Sequence, residues 1–163
     1  MSKRKTLPRV WIGWREWVDL PALEIAGIKA KIDTGAATSA IHAIHIRRFT
    51  EDGRRRVAFE IHPKQRSTAV TIACQADIHD ERYVTSSTGH REKRIVIRTP
   101  VRIANQQWPI DLTLTNRDTM GFRMLLGRRA MHGHVLVDPS ASYLAGAADS
   151  GGKATDGRAR RRG

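Results

Sequence analysis

The chain contains a single cysteine, Cys74, among its 163 residues. One cysteine excludes an intramolecular disulfide and cannot complete a zinc site by itself. Because its neighbours Val70, Ile72 and Ala73 are apolar, we expect Cys74 to be a buried strand residue, and a reactive thiol is the weaker alternative.

Long apolar runs are also missing. No segment approaches the ~20 consecutive apolar residues of a membrane-spanning helix, and the basic start at residues 1–5 is not followed by the apolar core of a signal peptide. We therefore predict a cytoplasmic protein. Hydrophobic residues still make up 40% of the chain, which is enough for the core of one small domain.

The chain has fewer acidic than basic residues: 16 Asp and Glu compared with 29 Lys and Arg, which gives a formal net charge of +13. In residues 146–163, Lys153 and four arginines against two aspartates leave a net charge of +3, so +10 remains for the rest. The Gly, Ala and Ser content of 146–163 predicts a disordered basic tail. The basic body favours an anionic partner, either nucleic acid, the ribosome or an acidic peptide, although a surface that is basic only for solubility remains an alternative.

Helical periodicity is scarce, and short alternating segments dominate. One of them passes through a turn near Gly27 and places Ile28, Ala30 and Ile32 on one face, so that Asp33 comes directly after the strand. Their spacing predicts an all-β fold, a small closed β-barrel with one short helix. The predicted strands are residues 11–18, 23–32, 57–62, 69–74, 94–98, 101–108, 110–115 and 135–137.

The sequence Asp33-Thr34-Gly35 sets a carboxylate directly before a sharp polar turn. An aspartic peptidase needs two carboxylates about 3 Å apart that share one proton, one to activate water and the other to donate to the scissile carbonyl. This chain has one such motif, which excludes a two-lobed single-chain architecture and requires a second identical subunit. The alternative for Asp33 is an ordinary turn or N-cap aspartate.

A second block, Met124 to Arg128, follows about 90 residues downstream. Together the two blocks resemble the retropepsin-like aspartic peptidases, and more closely a bacterial branch labelled ATP-dependent zinc proteases and associated with ribosomal protein S6 glutamate ligases. The resemblance covers roughly residues 20–145 and implies a peptidase domain there, with an N-terminal strand or extension at 1–19. It also implies that Leu126, Gly127 and Arg128 pack behind the active-site turn and lead into a short helix from Arg129 to His132.

Each residue around the motif has a predicted role. Gly35 permits a tight turn, Thr34 is expected to send its hydroxyl across the dimer axis, and Thr38 and Ser39 to hydrogen-bond the loop or Asp33. Catalysis is assigned to Asp33, and the predicted support residues are Thr34, Gly35, Ala36, Thr38 and Ser39.

A flap over the substrate is predicted in the hairpin 84–91, because its tip is small, polar and contains glycine. The tip residues are Ser86, Ser87, Thr88 and Gly89. A plain surface hairpin is the alternative.

Position 37 departs from the viral retropepsins, which usually carry there an Asp that pairs with the Arg of the second block. Here it is Ala37. Arg128 must then find another carboxylate, and we expect a buried structural ion pair. An acidic ligand is the alternative partner.

No metal site or cofactor is predicted. There is no His-Glu-x-x-His and no Gly-rich Lys-Ser or Lys-Thr phosphate loop. The pairs His42 with His45 and His132 with His134 lack nearby ligands to complete a tetrahedral set, so we expect surface or capping histidines.

The sequence therefore predicts a homodimeric aspartic endopeptidase that hydrolyses peptide bonds through Asp33 and its symmetry mate, on acidic or glutamate-rich peptides. The alternative is a non-catalytic basic module of the same fold that binds the ribosome or RNA. Replacement of Asp33 separates them, because it abolishes hydrolysis but not nucleic-acid binding.

Overall fold

Alternation of inward and outward side chains folds most of the chain into strands. The computed structural model describes residues 8–65, 67–85, 88–116 and 121–146. Within these ranges it has twelve strands, one α-helix of four residues and a 3-10 turn at Pro21–Leu23. The strands are β1 (Val10–Ile12), β2 (Arg15–Leu20), β3 (Ile25–Ile32), β4 (Ser39–His42), β5 (Ile44–Glu51), β6 (Arg54–Ile61), β7 (Ile72–Asp77), β8 (Asp80–Thr85), β9 (Arg91–Ile103), β10 (Gln106–Thr115), β11 (Met124–Leu126) and β12 (Val135–Val137), and the helix is α1 (Arg128–Met131).

Six strands close into a barrel in the order β10-β4-β11-β3-β2-β9, and β9 pairs again with β10. Strand β8 extends this sheet beyond β9. The barrel is filled with fully buried aliphatic side chains, among them Leu20, Ile28, Ile41, Ile97, Leu112 and Leu126. The predicted all-β barrel with one short helix is confirmed.

Two smaller sheets flank the barrel. An antiparallel sheet has the order β5-β6-β7, and β1 pairs with β12 in a two-stranded parallel sheet. Strands β9 and β10 form a hairpin with Ile103 opposite Gln106. The chain therefore turns at Ala104 and Asn105, rather than between the predicted strands 101–108 and 110–115.

Several local predictions need correction. The chain does not turn at Gly27: β3 runs straight through it, and the register irregularity lies between Val18 and Leu20 on the opposite strand. Gly27 has a φ of 85°, a value that glycine adopts more readily than other residues. The glycine in the sequence therefore indicates a local distortion of the strand rather than a turn. Strands β4, β5, β11 and most of β8 were not predicted. Strand β5 is partly exposed along its length and lacks a buried apolar row, whereas β4 and β11 are only four and three residues long.

Other predictions hold with shifted bounds. The helix occupies Arg128–Met131 rather than 129–132. Cys74 lies in β7 and is 5% exposed, as predicted, and burial raises the pKa of its thiol to about 11. Strand β2 belongs to the barrel sheet. Residues 147–163 of the predicted tail lie outside the described residues. In the part of the chain that the structure describes, no helix is long and apolar enough to cross a bilayer.

Candidate active site

Asp33 begins the loop that follows β3. Its neighbour Ile32 pairs with Leu126 of β11, and the Asp33 backbone N–H donates to the Leu126 carbonyl at 2.9 Å. The side chain is half-buried, and its Oδ1 accepts a hydrogen bond from the Gly35 N–H at 2.9 Å. The carboxylate is thereby oriented by the backbone of its own turn.

Gly35 leaves space beside this carboxylate. A Cβ built at position 35 would lie 3.3 Å from Asp33 Oδ1, so a side chain there would crowd the oxygen. The turn closes where the Ala36 N–H donates to the Asp33 carbonyl at 3.2 Å. Thr34 is exposed at the tip, and its contact across a dimer axis stays a prediction.

The second block holds the Asp33 loop by backbone hydrogen bonds. The Arg128 N–H donates to the Ala36 carbonyl at 2.7 Å, and the Arg129 N–H donates to the Ala37 carbonyl at 3.1 Å. Strand β11 lies between β3, to which it is parallel, and β4, to which it is antiparallel. The two blocks, distant in the sequence, therefore meet in one structural unit.

Ser39 adds a side-chain contact to this unit. It is 1% exposed, and its hydroxyl accepts a hydrogen bond from the Gly127 N–H at 2.9 Å. The partners expected for Ser39 were the loop or Asp33, and the structure places its hydroxyl on Gly127 of the second block instead.

Gly127 is required by close packing. An added Cβ would lie 2.5 Å from the Thr38 carbonyl oxygen and 3.0 Å from that of Ala36. Both are backbone atoms, so the clash could be relieved only by moving the loop that carries Asp33.

Arg128 does not form the buried ion pair that was expected. Its side chain is exposed, and Nη1 donates to the Thr34 carbonyl at 3.1 Å. Among the described residues no carboxylate forms an ion pair with it. Arg128 begins α1 at the surface, where a backbone carbonyl satisfies one donor and water can reach the rest.

The flap candidate lies at the end of the β8–β9 ribbon. Thr85 pairs with Arg91 there, and Gly89 has a φ of 91° in the connection. Thr88 belongs to the same connection, whereas Ser86 and Ser87 lie outside the described residues. The assignment of a flap stays a prediction.

The two histidine pairs have different surroundings, and His132 lines a cleft together with Thr34. His42, expected at the surface, is instead 8% exposed in β4, because β4 is a barrel strand. His45 contacts Glu60 Oε1 at 2.9 Å, while His134 stacks on Trp108 with ring centroids 4.2 Å apart, and burial lowers the His134 pKa. Within the described ranges, no group of three or more His, Cys, Asp or Glu side chains is placed to hold a metal ion.

A buried carboxylate beside the site was missed by the sequence analysis. Glu16 of β2 is fully buried, and its oxygens accept the N–H groups of Gly13, Leu144 and Ala145 at 2.6, 2.8 and 3.2 Å. Burial raises its pKa, although these hydrogen bonds oppose the shift. The inward alternation of Glu16 with Val18 was the available signal. The carboxylate ties the segment around Leu144 to the strand that pairs with β3.

Comparison with known families agrees with this geometry. A family model described as RimB-like, retropepsin-like aspartic endopeptidase RimB, matches residues 11–148. The chain belongs to this RimB-like family. The matched residues include both the Asp33 loop and the second block that holds it.

Curated relatives of this RimB-like chain carry a different name. Proteins named probable alpha-L-glutamate ligase from Shewanella pealeana and Desulfotalea psychrophila are 48% and 46% identical over 135 residues, or 83% of this chain. The one from Parasynechococcus marenigrum is 46% identical over 138 residues. The matched part is only 30%, 29% and 30% of these relatives, respectively, so most of each ligase-named protein has no counterpart in this chain.

A solved structure confirms the fold alone. A Legionella pneumophila protein of unknown function superimposes with a TM-score of 0.71 and 22% sequence identity, over 85% of this chain and 99% of the other.

Proposed function

We propose that this RimB-like chain is an aspartic peptidase that works as a homodimer, with Asp33 of each protomer forming the catalytic pair. The observation that carries the proposal is the Asp33 loop, held at its back by the second block and open beside Gly35. The family name, retropepsin-like aspartic endopeptidase, supports the same chemistry.

In this proposal each protomer contributes one of the two catalytic carboxylates. Among the described residues, the only hydrogen bond to the Asp33 carboxylate comes from Gly35, and no second carboxylate contacts it. With two Asp33 side chains sharing one proton, the ionised one takes a proton from water as the water attacks the peptide carbonyl. The protonated one donates to the carbonyl oxygen, and the amine leaves after a further proton transfer.

A surface suited to a second copy lies on the β1–β12 sheet. Trp11 and Leu136 are opposite each other in the β1–β12 sheet, and they are 58% and 37% exposed. On the opposite face of β12, Val135 and Val137 line a cleft of about 290 Å³ together with Thr34. Burial of the exposed Trp11 and Leu136 side chains would favour association, so we infer that two copies meet through the β1–β12 sheet around a two-fold axis.

Acidic peptides are the substrate class we favour. Arg9 and Arg128 line the same cleft, and Arg129 follows on α1. None of the three forms an ion pair with a described carboxylate. Such cations attract anionic chains and raise their capture rate at low salt. The glutamate ligase names of the relatives suggest peptides rich in glutamate.

The central test is Asp33→Asn, assayed on a fluorogenic peptide library at several enzyme concentrations. The isosteric change removes the ionisable pair, so activity should fall by several orders of magnitude while circular dichroism and thermal unfolding stay unchanged. Specific activity of the wild type should fall on dilution below the dimer dissociation constant. Concentration-independent activity, or activity lost to chelators and restored by zinc, would overturn the aspartic mechanism.

The dimer surface is tested by Trp11→Ser, with Tyr83→Ser as the matched control. Both side chains are 58% exposed, so neither change should disturb the core. Sedimentation velocity should show a dimer for the control and a monomer for Trp11→Ser. A wild type that is monomeric at all concentrations, or equal behaviour of the two variants, would contradict this surface.

Substrate class is tested with a poly-Glu peptide beside a neutral peptide of equal length, at 50 and 500 mM salt. We expect faster turnover of the poly-Glu peptide, a decrease of this turnover as salt increases, and a further decrease in Arg9→Gln, which removes a cation of the cleft. Equal cleavage of both peptides without salt dependence would contradict an acidic substrate while leaving the aspartic mechanism intact.

A further inference from the structure

The outer face of β2 and β3 combines cations with aromatic rings. Arg15 is opposite Lys31, and Trp17 is opposite Lys29. The intervening Glu16 and Ala30 point into the barrel and are buried. The side chains of Arg15, Trp17, Lys29 and Lys31 therefore lie on the outside of the barrel. The two lysines are in β3, four and two residues before Asp33.

The C-terminal segment adds rings to this face. The Tyr143 N–H donates to the Arg15 carbonyl at 3.0 Å, and the Tyr143 ring stacks on Trp17 with centroids 6.0 Å apart and planes 27° apart. Trp14, 37% exposed, precedes Arg15. We call the set Trp14, Arg15, Trp17, Lys29, Lys31 and Tyr143 the β2–β3 face.

Cations and rings alternate along this face. The Arg15 guanidinium lies 4.6 Å from the Trp14 ring centroid and 5.0 Å from that of Tyr143, and Lys29 Nζ lies 5.3 Å from that of Trp17. These contacts hold flexible basic side chains in place, which reduces the entropy lost when they bind a ligand.

The positive charge of the face is not neutralised by the described residues. No ion pair with a described carboxylate involves Arg15, Lys29 or Lys31. The acids of β2 are turned inward: Glu16 binds backbone N–H groups, and Asp19 binds Gly27 and Arg102. Lys29 and Lys31 thus remain for an anionic ligand, and Arg15, whose Nε donates to Ser142 Oγ at 3.1 Å, can contribute its other donors.

Cations elsewhere on the molecule are placed differently. Arg48, Arg55 and Lys93 surround Glu81, and Arg56 pairs with Asp77 at 2.8 Å. Most of the basic excess of the β5–β7 sheet is therefore neutralised locally. Cations also lie over Phe49 and over Tyr83, but each of these places has a single ring. The β2–β3 face is distinguished because it groups three cations without ion pairs to described carboxylates beside three rings.

We propose that the β2–β3 face binds a single-stranded polynucleotide, an interaction beyond the proposed peptidase activity. Phosphates would contact Arg15, Lys29 and Lys31. Bases would stack on the ring of Trp14, which is 37% exposed, and on the ring of Trp17 as Lys29 turns from it to a phosphate. An acidic peptide complements the charge but leaves the row of rings without planar partners, whereas nucleotides complement both. RNA and DNA share this chemistry, and the 2′-hydroxyl distinguishes them only in the test.

The test measures fluorescence anisotropy of labelled 12-nucleotide oligo-U, oligo-dT and a poly-Glu peptide with the full chain at 50 to 200 mM salt. Both oligonucleotides should bind more tightly than the peptide, with affinity falling steeply as salt increases. Lys29→Gln with Lys31→Gln should weaken binding at least about tenfold at 50 mM salt and flatten the salt dependence by ~1.4 in log–log slope. Trp17→Leu should weaken binding by about fivefold or more through lost stacking.

The matched control is Arg47→Gln with Lys64→Gln, which removes two exposed cations that also lack an ion pair with described carboxylates, near the other sheet. It should retain wild-type affinity, as should Asp33→Asn, which separates this proposal from the catalytic one. Absence of oligonucleotide binding by the wild type, or equal losses in the control, would overturn the proposal. Tighter binding of poly-Glu at the same residues would assign the face to an acidic peptide and would overturn it too.

Discussion

The Asp33 loop and the β5–β7 sheet are held together by different forces. The loop is fixed by backbone hydrogen bonds to the second block and by the absence of a side chain at Gly127. The sheet's outer surface carries ion pairs whose arginines reach solvent: Arg48 and Arg55, at 48% and 63% side-chain exposure, contact Glu81. Backbone contacts in a packed interior hold atoms to fractions of an ångström, whereas exposed ion pairs add little stability.

The same contrast governs charge. The formal charge of +13 suggests a uniformly basic molecule, yet acids on the β5–β7 side neutralise many arginines there. Cations without such partners among the described residues occur beside the candidate site, at Arg9 and Arg128 and on the β2–β3 face. The net charge therefore predicts binding partners less well than the list of which cations form ion pairs and which do not.

Gly127→Ala should show the largest effect and would test whether the loop is as tightly packed as the geometry indicates. Its Cβ would lie 2.5 Å from a backbone oxygen, so we expect a loss of about 3 kcal/mol in the free energy of unfolding. Urea denaturation measures it. Gly53→Ala is the control in the β5–β6 turn: φ is +78° but nothing lies within 4 Å, so about 1 kcal/mol is expected. Equal losses would show that the loop can move aside.

Glu16→Gln should have the next largest effect, a loss of about 1–3 kcal/mol in the free energy of unfolding. The NH2 group of glutamine cannot accept a hydrogen bond, so at least one backbone N–H would lose its acceptor. The pKa of Glu16 is raised in the folded state, so ionisation of this group opposes folding. Its contribution to stability therefore falls as pH rises from the unfolded pKa of 4.5 through the folded pKa. The variant should lose that dependence. Thermal unfolding between pH 4 and 8 checks both effects, and an unchanged melting temperature would exclude the proposed role of Glu16 in holding the Leu144 segment.

Ser39→Ala should lower the free energy of unfolding by about 1–2 kcal/mol, because the buried Gly127 N–H would lose its acceptor. If the loop must be held to orient Asp33, peptidase activity should also fall. Ser140→Ala is the control, because that hydroxyl donates to Asp138 at 2.7 Å at an exposed site, and we expect less than about 0.5 kcal/mol there. Chemical denaturation with parallel activity assays compares the pair, and indistinguishable variants would remove Ser39 from the loop's support.

Glu81→Gln should have the smallest effect, under about 1 kcal/mol. The Glu81 side chain is 8% exposed, but its partners Arg48 and Arg55 are 48% and 63% exposed, so water screens the ion pairs. The hydrogen bond from Arg48 chiefly lowers the pKa of Glu81. The ionised carboxylate therefore stabilises the fold above the unfolded pKa of 4.5, and this contribution is lost as pH falls through the folded value. Its pH dependence is thus opposite in sign to that of Glu16. Acid titration of unfolding in low and high salt measures it, and an effect larger than that of Glu16→Gln would reverse the comparison.

Part of the candidate site could be read from the sequence. Asp33-Thr34-Gly35 and the block ending in Arg128 were both recognisable, since glycine beside a carboxylate and a hydrophobic pair before glycine reflect local backbone requirements. Ile28, Ala30 and Ile32 predicted the buried face of β3 by period-2 alternation alone, and all three are buried. The all-β barrel followed from many such segments.

Only the tertiary structure decided what these residues contact. It placed Ser39 on Gly127, Arg128 on the Thr34 carbonyl, and Glu16 among backbone N–H groups. Ser39 and Gly127 are 88 residues apart, Arg128 and Thr34 are 94 apart, and Glu16 binds Leu144 and Ala145 over 128 and 129 residues. The acceptor that replaced the carboxylate expected for Arg128 is a backbone carbonyl, which no sequence pattern marks. Local periodicity determines which face of a strand is buried, whereas long-range pairing determines which polar groups remain open to a ligand.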